Sequence, residues 1–300
     1  MAIEITFLGT SCAVPTKQRN HSSVHLKYEN YNILFDCGEG TQRQMIAAGL
    51  SVYKTTHVLL THLHGDHSLG LAGLLQTMAF QGKKQPLTII APKGSKDTIK
   101  FLAEWPYFNL PFELKVIEAH KDSIAFENQD FEIHAFPVKH SCPTINFVFQ
   151  EKTQANLDVR KLEKLGLKNN PLCAELKQKG SIKWKNKTVK LKNVVLPVKP
   201  GRKIAYVTDT VYFDELAKPI QKANLLICES TFSENLKTAA LEKQHLTTVD
   251  AARLALKARV EKLVLTHYSA RYDDEKQLER EAKKVFKNTI AARDFTRIQL

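Results

Sequence analysis

The segment Thr61-His62-Leu63-His64-Gly65-Asp66-His67 places four side chains that bind metal ions within six positions. Residues 56–60 before it are a short apolar run typical of a buried strand, and residues 69–80 after it carry apolar side chains at helical spacing. The segment is therefore predicted to be a strand-to-helix turn, which holds side chains outward on a rigid base. Imidazoles and a carboxylate suit zinc or a similar divalent ion.

Four ligands so close in sequence cannot comfortably surround one ion, so two ions are expected. His62 and His64 would bind one metal, while Asp66 and His67, beyond the turn at Gly65, would reach the other. The competing interpretation is a solvated histidine-rich loop. Such loops rarely follow a strand with this spacing and carry the acid as well.

Composition and charge narrow the class of partner. The 300 residues suffice for one large layered domain or two small ones, and a hydrophobic fraction of 43% suffices for a core. A formal net charge of +13 and a pI of about 9.4 favour a polyanionic partner, with nucleic acid the leading candidate. Many soluble proteins are basic for solubility alone, so the charge by itself does not identify the partner.

Cysteine usage and the N-terminus indicate a soluble cytoplasmic protein. The five cysteines lie far apart without a Cys-x-x-Cys pair, which favours reduced thiols. The chain starts with an early acid and lacks the basic start and long apolar run of a signal peptide. No apolar stretch approaches the roughly 20 residues that span a bilayer, so no membrane partner is expected.

The N-terminal part is predicted to form an antiparallel sheet that leads to a glycine-bearing turn. Residues 3–8, 23–28 and 31–35 have the pattern of strands, with a tight turn between the last two. Residues 35–45 combine a strand end, a turn and a helix start, and two glycines there let the backbone approach the metal turn. Asp36 can accept hydrogen bonds from ligand histidines. The alternative is a plain turn with a solvated acid.

Two histidines in the middle of the chain could supply the third nitrogen ligand of the first ion. His140 lies in the loop before the predicted strand 144–149, whereas His134 lies inside the alternation of the predicted strand 131–136, which favours a structural role. His140 is therefore the preferred ligand. Strands are also predicted at residues 86–91 and 112–117. A helix is predicted at residues 95–105, with Ser95 as a plausible N-cap.

Most of the net charge lies in one segment. Residues 151–203 contain 15 lysines and arginines against 4 acidic residues, which is +11 of the net +13. Within this segment, residues 176–193 interleave lysines with apolar side chains and are predicted to form a twisted basic hairpin. An arm that contacts a phosphate backbone is the functional interpretation. A solvated lysine-rich insertion is the alternative.

The last hundred residues return to alternating strands and helices. Predicted strands at 202–207, 223–228 and 261–265 are followed by polar residues, among them Asp209 and His267. Both residues lie at the carboxyl ends of strands, as His62 does. Asp209 can bridge two cations with its two oxygens, while His267 can complete the second ion and His140 the first. Helices are predicted at residues 248–259 and 275–286, the latter covering the sheet.

Together these residues resemble the metallo-β-lactamase superfamily, and more narrowly the ribonuclease Z family, endonucleases that trim the 3′ trailer from precursor tRNA. The His-x-His-x-Asp-His core is shared by the whole superfamily and names only a two-metal hydrolase. The narrower resemblance covers nearly the whole chain. It is carried by Phe35-Asp-Cys-Gly-Glu-Gly-Thr-Gln-Arg-Gln44, by Thr61 to Met78, by Asn20-His-Ser-Ser23 and by Thr266-His-Tyr-Ser-Ala-Arg-Tyr272.

The resemblance implies an α/β fold, the four-layer αββα sandwich over residues 1–300, with a basic protruding arm inserted at residues 151–200. It implies two zinc ions per subunit, although manganese or cobalt can serve in such sites. One zinc would be held by His62, His64 and His140 and the other by Asp66, His67 and His267, with Asp209 bridging.

The resemblance also implies roles for two catalytic residues and a likeness to known loops. Asp66 would accept the proton of the attacking water, and His245, in a short His-x-Thr loop, would contact the scissile phosphate or protonate the leaving oxygen. Residues 197–202 resemble a further loop near the tRNA 3′ end. The Gly-Pro motif expected in the arm is replaced around Lys168-Asn169-Asn170-Pro171.

The implied partners are precursor tRNA and a second subunit, in a homodimer where one subunit's arm serves the other's site. Two other functions stay open from the residues. One is a related two-metal phosphodiesterase or 3′ exoribonuclease acting on other RNA, and the other is an RNA-binding module that has lost the chemistry.

Overall fold

The computed structural model describes residues 2–105, 107–153, 156–196 and 200–300. Contacts divide the chain into two compact units. The first unit comprises the residues up to Glu127, Glu132–Gln150 and Lys203–Leu300, and the second comprises Asn128–Phe131 and Glu151–Arg202. In the described part of the chain, no helix combines the length and the apolar character that crossing a bilayer requires.

The first unit is built on two seven-stranded mixed sheets, whose strands are numbered here in chain order. From edge to edge, the first sheet consists of β18 (Arg297–Gln299), β1 (Ile3–Gly9), β3 (Ser23–Tyr28), β4 (Tyr31–Phe35), β5 (His57–Leu59), β6 (Leu87–Pro92) and β7 (Leu114–Ala119). The second consists of β17 (Thr289–Ala291), β15 (Leu263–Thr266), β14 (Leu225–Glu229), β13 (Lys203–Val207), β10 (Ile145–Glu151), β9 (Phe131–Pro137) and β8 (Ser123–Glu127). A short pair, β2 (Ser11–Cys12) and β16 (Tyr268–Ser269), lies apart from both.

Helices cover the outer faces of the two sheets. The first sheet is covered by α1 (Thr41–Ala47), α3 (Gly70–Phe80) and α4 (Lys96–Glu104), whose apolar faces share one buried core with the strands. The second sheet is covered in the same way by α8 (Thr248–Ala258) and α9 (Lys276–Lys283). Two short helices, α2 (Gly65–Ser68) and α7 (Lys237–Glu242), complete the unit.

Aromatic side chains pack between the inner faces of the sheets. The rings of Tyr28 and Phe149 lie 5.5 Å apart edge to face, and those of Phe35 and Tyr206 lie 5.1 Å apart. All four side chains are buried, and burial of each such side chain stabilises the fold by about 1.5–3 kcal/mol. The order of layers is therefore helix, sheet, sheet, helix, which confirms the predicted αββα sandwich for this unit.

Parallel strands bring their carboxyl ends together at one edge of each sheet. In the first sheet β4, β5, β6 and β7 are parallel, and in the second sheet β13, β14, β15 and β17 are parallel. Segments that follow parallel strands meet at the same sheet edge, which is where open α/β sheets bind ligands. Six of the seven predicted ligand residues follow β5, β13 and β15, and the seventh, His140, follows β9.

The second unit has its own small core. It contains α5 (Val159–Leu165), α6 (Leu172–Lys179) and a hairpin of β11 (Ser181–Trp184) and β12 (Lys187–Lys190). Asp158 caps α5 by accepting hydrogen bonds from two backbone amides, and the Trp184 indole donates to the Leu165 carbonyl at 2.7 Å. The core side chains are Leu162, Leu167, Leu176, Ile182, Val189 and Val194.

Most predicted strands and helices agree closely with the structure, including the two-residue turn at Glu29-Asn30. The hairpin predicted over residues 176–193 is wrong in its first part, because α6 continues to Lys179. The interleaving of lysines with apolar residues also fits a helix that buries Leu176 and is capped by Gly180, whose φ is 73°. The final helix ends at Lys283, earlier than predicted.

Candidate metal centre

The ligand residues predicted for the first ion lie together. His62 Nε2 is 3.0 Å from His64 Nδ1, and His140 Nε2 is 3.3 Å from the same nitrogen. Asp209 Oδ2 lies 3.6 Å from both His62 Nε2 and His140 Nε2. His64 thus presents Nδ1 to the group, while the other two histidines present Nε2.

The ligand residues predicted for the second ion form an adjacent group. His67 Nε2 and His267 Nε2 are 3.1 Å apart, and Asp66 Oδ2 lies 3.4 Å and 3.5 Å from them. Asp209 Oδ1 lies 3.3 Å from each of these two nitrogens. The two carboxylate oxygens of Asp209 therefore face different groups, which is the arrangement that a bridging ligand requires.

These distances fit metal binding. Nitrogen and oxygen ligands that lie about 2.0–2.2 Å from a tetrahedral ion are about 3.3–3.5 Å from one another, and the distances within both groups are close to that range. The donors are imidazoles and carboxylates, and within each group the ring nitrogens converge with carboxylate oxygens on one point. The residues present therefore fit two divalent cations.

Asp36 orients the second group from behind, as the sequence predicts. Its Oδ2 lies 2.8 Å from His67 Nδ1, and its Oδ1 accepts a hydrogen bond from the Thr61 amide at 2.8 Å. The buried Tyr206 hydroxyl donates to Oδ2 at 3.0 Å. A proton on His67 Nδ1 leaves Nε2 free to bind a metal, so the carboxylate fixes the tautomer.

Other ligand histidines are held in the same way. His140 Nδ1 donates to the Gln244 carbonyl at 3.2 Å, and His62 Nδ1 lies 3.0 Å from the Thr61 hydroxyl. His267 Nδ1 lies 3.0 Å from the Thr231 hydroxyl. Each of these contacts leaves the Nε2 atom facing the ligand group.

The turn at Gly38 allows the close approach that the sequence predicts. A Cβ atom on this residue would lie 2.5 Å from the Asp66 carbonyl oxygen and 2.5 Å from the His21 Cβ. Any larger residue would have to displace backbone at the ligand turn.

His245 lies beside the two groups and is paired with an acid. Its Nδ1 is 3.0 Å from Glu229 Oε2 and 3.9 Å from Asp209 Oδ2. Burial lowers the pKa of His245, but the carboxylates of Glu229 and Asp209 outweigh burial and raise it to about 11. These carboxylates therefore favour the doubly protonated, positively charged ring.

Ionised carboxylates also surround the two groups. Burial raises the pKa of Asp209, but the imidazoles of His267 and His67 outweigh burial and hold it well below its usual range. The same imidazoles lower the pKa of Asp66 in the same way. Both side chains are charged at neutral pH and can bind cations.

Two side chains at the centre are not predicted from the sequence. Glu229 ends β14, between the strands that lead to Asp209 and His267, and its place at that sheet edge is the signal that could have identified it. Cys12 lies with Asp66 and His267, their ligand atoms all within 4.8 Å of one another. Burial raises the pKa of the Cys12 thiol, but the imidazoles of His267 and His245 outweigh burial and lower it.

His134 does not compete with His140. Its Nε2 lies 2.8 Å from Glu132 Oε1 within β9. Among the residues that the structure describes, the groups able to hold an ion include His140 and leave out His134. Of the predicted loop at residues 197–202, positions 197–199 lie outside the described residues.

Comparison with protein families gives two matches along the chain. A family model described as Anti-Pycsar protein Apyc1 matches residues 3–165, and one described as a beta-lactamase superfamily domain matches residues 173–268. Neither match alone covers the whole set of predicted ligands.

Curated relatives match over nearly the full length. The chain is 39% identical to the Ribonuclease Z of Methanococcus aeolicus, over 91% of this chain and 86% of that one. It is 37% identical to the Ribonuclease Z of Methanothermobacter thermautotrophicus, over 99% of this chain and 97% of that one.

Solved structures agree in fold. The structure of human tRNase Z, short form, superposes with a TM-score of 0.71 at 29% identity, over 98% of each chain. The metallo-beta-lactamase fold protein YhfI from Bacillus subtilis superposes with a TM-score of 0.74 at 17% identity, over 100% of this chain and 99% of that chain. The second likeness concerns the fold alone.

Proposed function

Because the chain belongs to the ribonuclease Z family of metal-dependent endoribonucleases, with residues 3–165 also fitting the Apyc1 family model, we propose that it removes the 3′ trailer from precursor tRNA at a two-zinc centre. The observation that carries this proposal is Asp209, whose two oxygens face two complete groups of ligands. One group comprises His62, His64 and His140, and the other comprises Asp66, His67 and His267.

Two divalent cations, when bound, would supply the positive charge that makes water acidic and stabilises negative charge developing on the phosphate. Zinc agrees with the imidazole-rich donor set, although manganese or cobalt can occupy similar sites. The proton transfers are proposed for side chains of the protein itself.

Asp66 is suited to receive the proton of the attacking water. Its Oδ2 accepts a hydrogen bond from the Ala13 amide at 2.7 Å, which fixes the carboxylate, and 11% of its side chain is exposed toward solvent. A fixed carboxylate at the edge of the centre can take a proton without losing its position.

His245 is suited to give a proton to the leaving ribose oxygen. Glu229 lies against its Nδ1, and the carboxylates of Glu229 and Asp209 raise the pKa of the ring, which favours its protonated form. Protonation of the ribose oxygen as the phosphorus–oxygen bond breaks leaves a 3′-hydroxyl on the mature tRNA.

The second unit is proposed as the tRNA-binding arm. Its hairpin points the side chains of Ile182 and Val189 into its own core, while the neighbouring lysines are exposed. Lysines on such a surface bind phosphates without reading sequence. We also propose a cytoplasmic homodimer in which one subunit's arm serves the other's centre; the five free cysteines suit a reducing compartment.

A cleavage assay on a precursor tRNA with a 3′ extension tests the function, with product ends read at single-nucleotide resolution. The wild-type protein should make a single cut just after the discriminator base. Asp66→Ala should lower the rate by about 10²-fold or more, because it removes both a ligand and the proton acceptor. Stepwise shortening of the trailer would instead identify a 3′ exoribonuclease. No cut by a protein that has bound metal would identify an RNA-binding module.

A further inference from the structure

Cys12 is tied by its backbone to the second group of ligands. It ends β2, which pairs in parallel with β16 so that Cys12 lies opposite Ser269, two residues after His267. The next residue, Ala13, donates its amide proton to Asp66 Oδ2 at 2.7 Å. The segment that carries the thiol is thus fixed to Asp66 and to the strand that directly follows His267, and Cys12 itself is only 8% exposed.

The sulfur is aimed into the centre. Cys12 Sγ, an Asp66 carboxylate oxygen and a His267 ring nitrogen all lie within 4.8 Å of one another. The thiol therefore lies beside two groups that can bind a metal ion.

The other four cysteines are placed differently. Cys37 and Cys228 are fully buried, Cys173 Sγ donates to the Leu167 carbonyl, and Cys142 Sγ lies 3.8 Å from the Thr144 hydroxyl. Among the described residues, Cys12 carries the one thiol that belongs to a group able to hold an ion.

We propose that Cys12 is an additional, sulfur ligand of the second ion, beside Asp66, His67, His267 and Asp209. This inference rests on the proposed two-metal centre. As the metal–sulfur bond forms, the thiol would give its proton to solvent, so that the sulfur binds as a thiolate. A thiolate favours zinc or cobalt over manganese, so Cys12 narrows the choice of metal at this site.

Absorption spectroscopy of the cobalt-loaded full-length protein tests the assignment. A thiolate bound to cobalt(II) gives an intense sulfur-to-metal charge-transfer band in the near ultraviolet, which nitrogen and oxygen ligands do not give. The wild-type protein should show this band, and Cys12→Ser and Cys12→Ala should lose it. The matched control is Cys142→Ala, which removes a partly exposed thiol outside the ligand groups and should keep the band.

Cobalt content per chain, measured on the same samples, distinguishes failure of this inference from failure of the proposed two-metal centre. Two cobalt ions per wild-type chain without the band would overturn the role of Cys12 and leave the two-metal centre standing. A band that persists in both Cys12 variants would assign the sulfur to another cysteine. Failure of the folded wild-type protein to bind cobalt or zinc would overturn both proposals together.

Discussion

At the level of single residues, three positions of the centre have backbone conformations that residues other than glycine rarely adopt. Asp36, Asp209 and His267 have φ angles of 58°, 49° and 59°, in the left-handed region. Such conformations cost on the order of 1 kcal/mol each and persist where surrounding contacts fix them. Asp36 is fixed by Thr61 and Tyr206, so hydrogen bonds offset the backbone strain at the point where the ligands must converge.

Replacement of His245 should separate proton donation from metal binding. His245→Ala should lower the rate of tRNA cleavage by about 10²–10⁴-fold, because the ribose oxygen is a poor leaving group without a proton. It should lower the hydrolysis of a nitrophenyl phosphodiester much less, since nitrophenolate leaves without protonation. Rates on the two substrates, with metal content measured in parallel, check this expectation.

The matched control for His245 is His134→Ala. That residue also pairs its ring with a carboxylate, Glu132, but it does so within β9 and outside the ligand groups. Both rates should stay near wild type. An equal loss of both activities in His245→Ala, or a loss of bound metal, would contradict the role as proton donor.

Candidate ligands could be predicted from the sequence where their position after a strand is visible. His62, Asp209 and His267 each follow a short apolar run, and parallel strands bring such positions together. Tyr206 and Cys12 cannot be predicted in this way. Tyr206 has the pattern of an ordinary buried strand residue, and its contact with Asp36 joins residues 170 positions apart.

At the level of secondary structure, a strand can be predicted from the sequence when it is long enough to show its pattern of apolar residues. Strands such as β3 and β10 carry enough apolar residues to be predicted. The two-residue strands β2 and β16 pair across more than half of the chain, between Ser11 and Tyr268, and no local pattern marks them. Cys12 is missed for the same reason, since its position depends on that pairing.

The β11–β12 hairpin should determine affinity for tRNA rather than the chemical step. Lys183 and Lys190 are exposed on the face opposite Ile182 and Val189, as the pairing of the strands shows. Replacing both lysines with glutamine should raise the KM for precursor tRNA about tenfold. It should also lower the slope of log affinity against log salt by about 0.7–0.9 per lost phosphate contact.

Binding measured over a series of salt concentrations, together with hydrolysis of the nitrophenyl ester, checks this prediction. Hydrolysis of the ester should not change in the variant. The charge-matched control is Lys93→Gln with Lys115→Gln, two exposed lysines of the first unit. A salt slope that stays at the wild-type value in the hairpin variant would rule out phosphate contacts by these two lysines.

At the level of the whole molecule, the C-terminal segment is joined to the beginning of the chain through Asp294. Its Oδ1 accepts a hydrogen bond from the Thr10 hydroxyl at 2.8 Å, and its Oδ2 accepts one from the Asn20 amide at 2.7 Å. The Gln44 side chain donates to the same oxygen at 3.1 Å. These contacts connect residues at least 250 positions apart, so no sequence pattern reveals them.

Asp294 should make the stability of the protein depend on pH. Burial is the largest influence on its pKa and raises it from 3.8 to about 6, against the hydrogen bonds from Asn20 and Thr10. The folded state therefore binds a proton more tightly than the unfolded chain. The resulting stabilisation is complete below about pH 4 and is lost as the pH rises through about 6.

Asp294→Asn removes this titration, because the amide keeps the shape of the protonated carboxyl and cannot ionise. The free energy of unfolding of the variant minus that of wild type should rise by about 2 kcal/mol between roughly pH 4 and pH 7, after allowance for partial exposure. Urea unfolding of both proteins in the presence of a chelator checks this prediction. The chelator removes metal at every pH, so that loss of metal at low pH does not change either free energy of unfolding. Asp122→Asn, at an exposed position, should change the unfolding free energy by less than about 0.5 kcal/mol throughout. A constant difference between Asp294→Asn and wild type over this range would show that Asp294 stays ionised in the folded protein, with its hydrogen bonds outweighing burial.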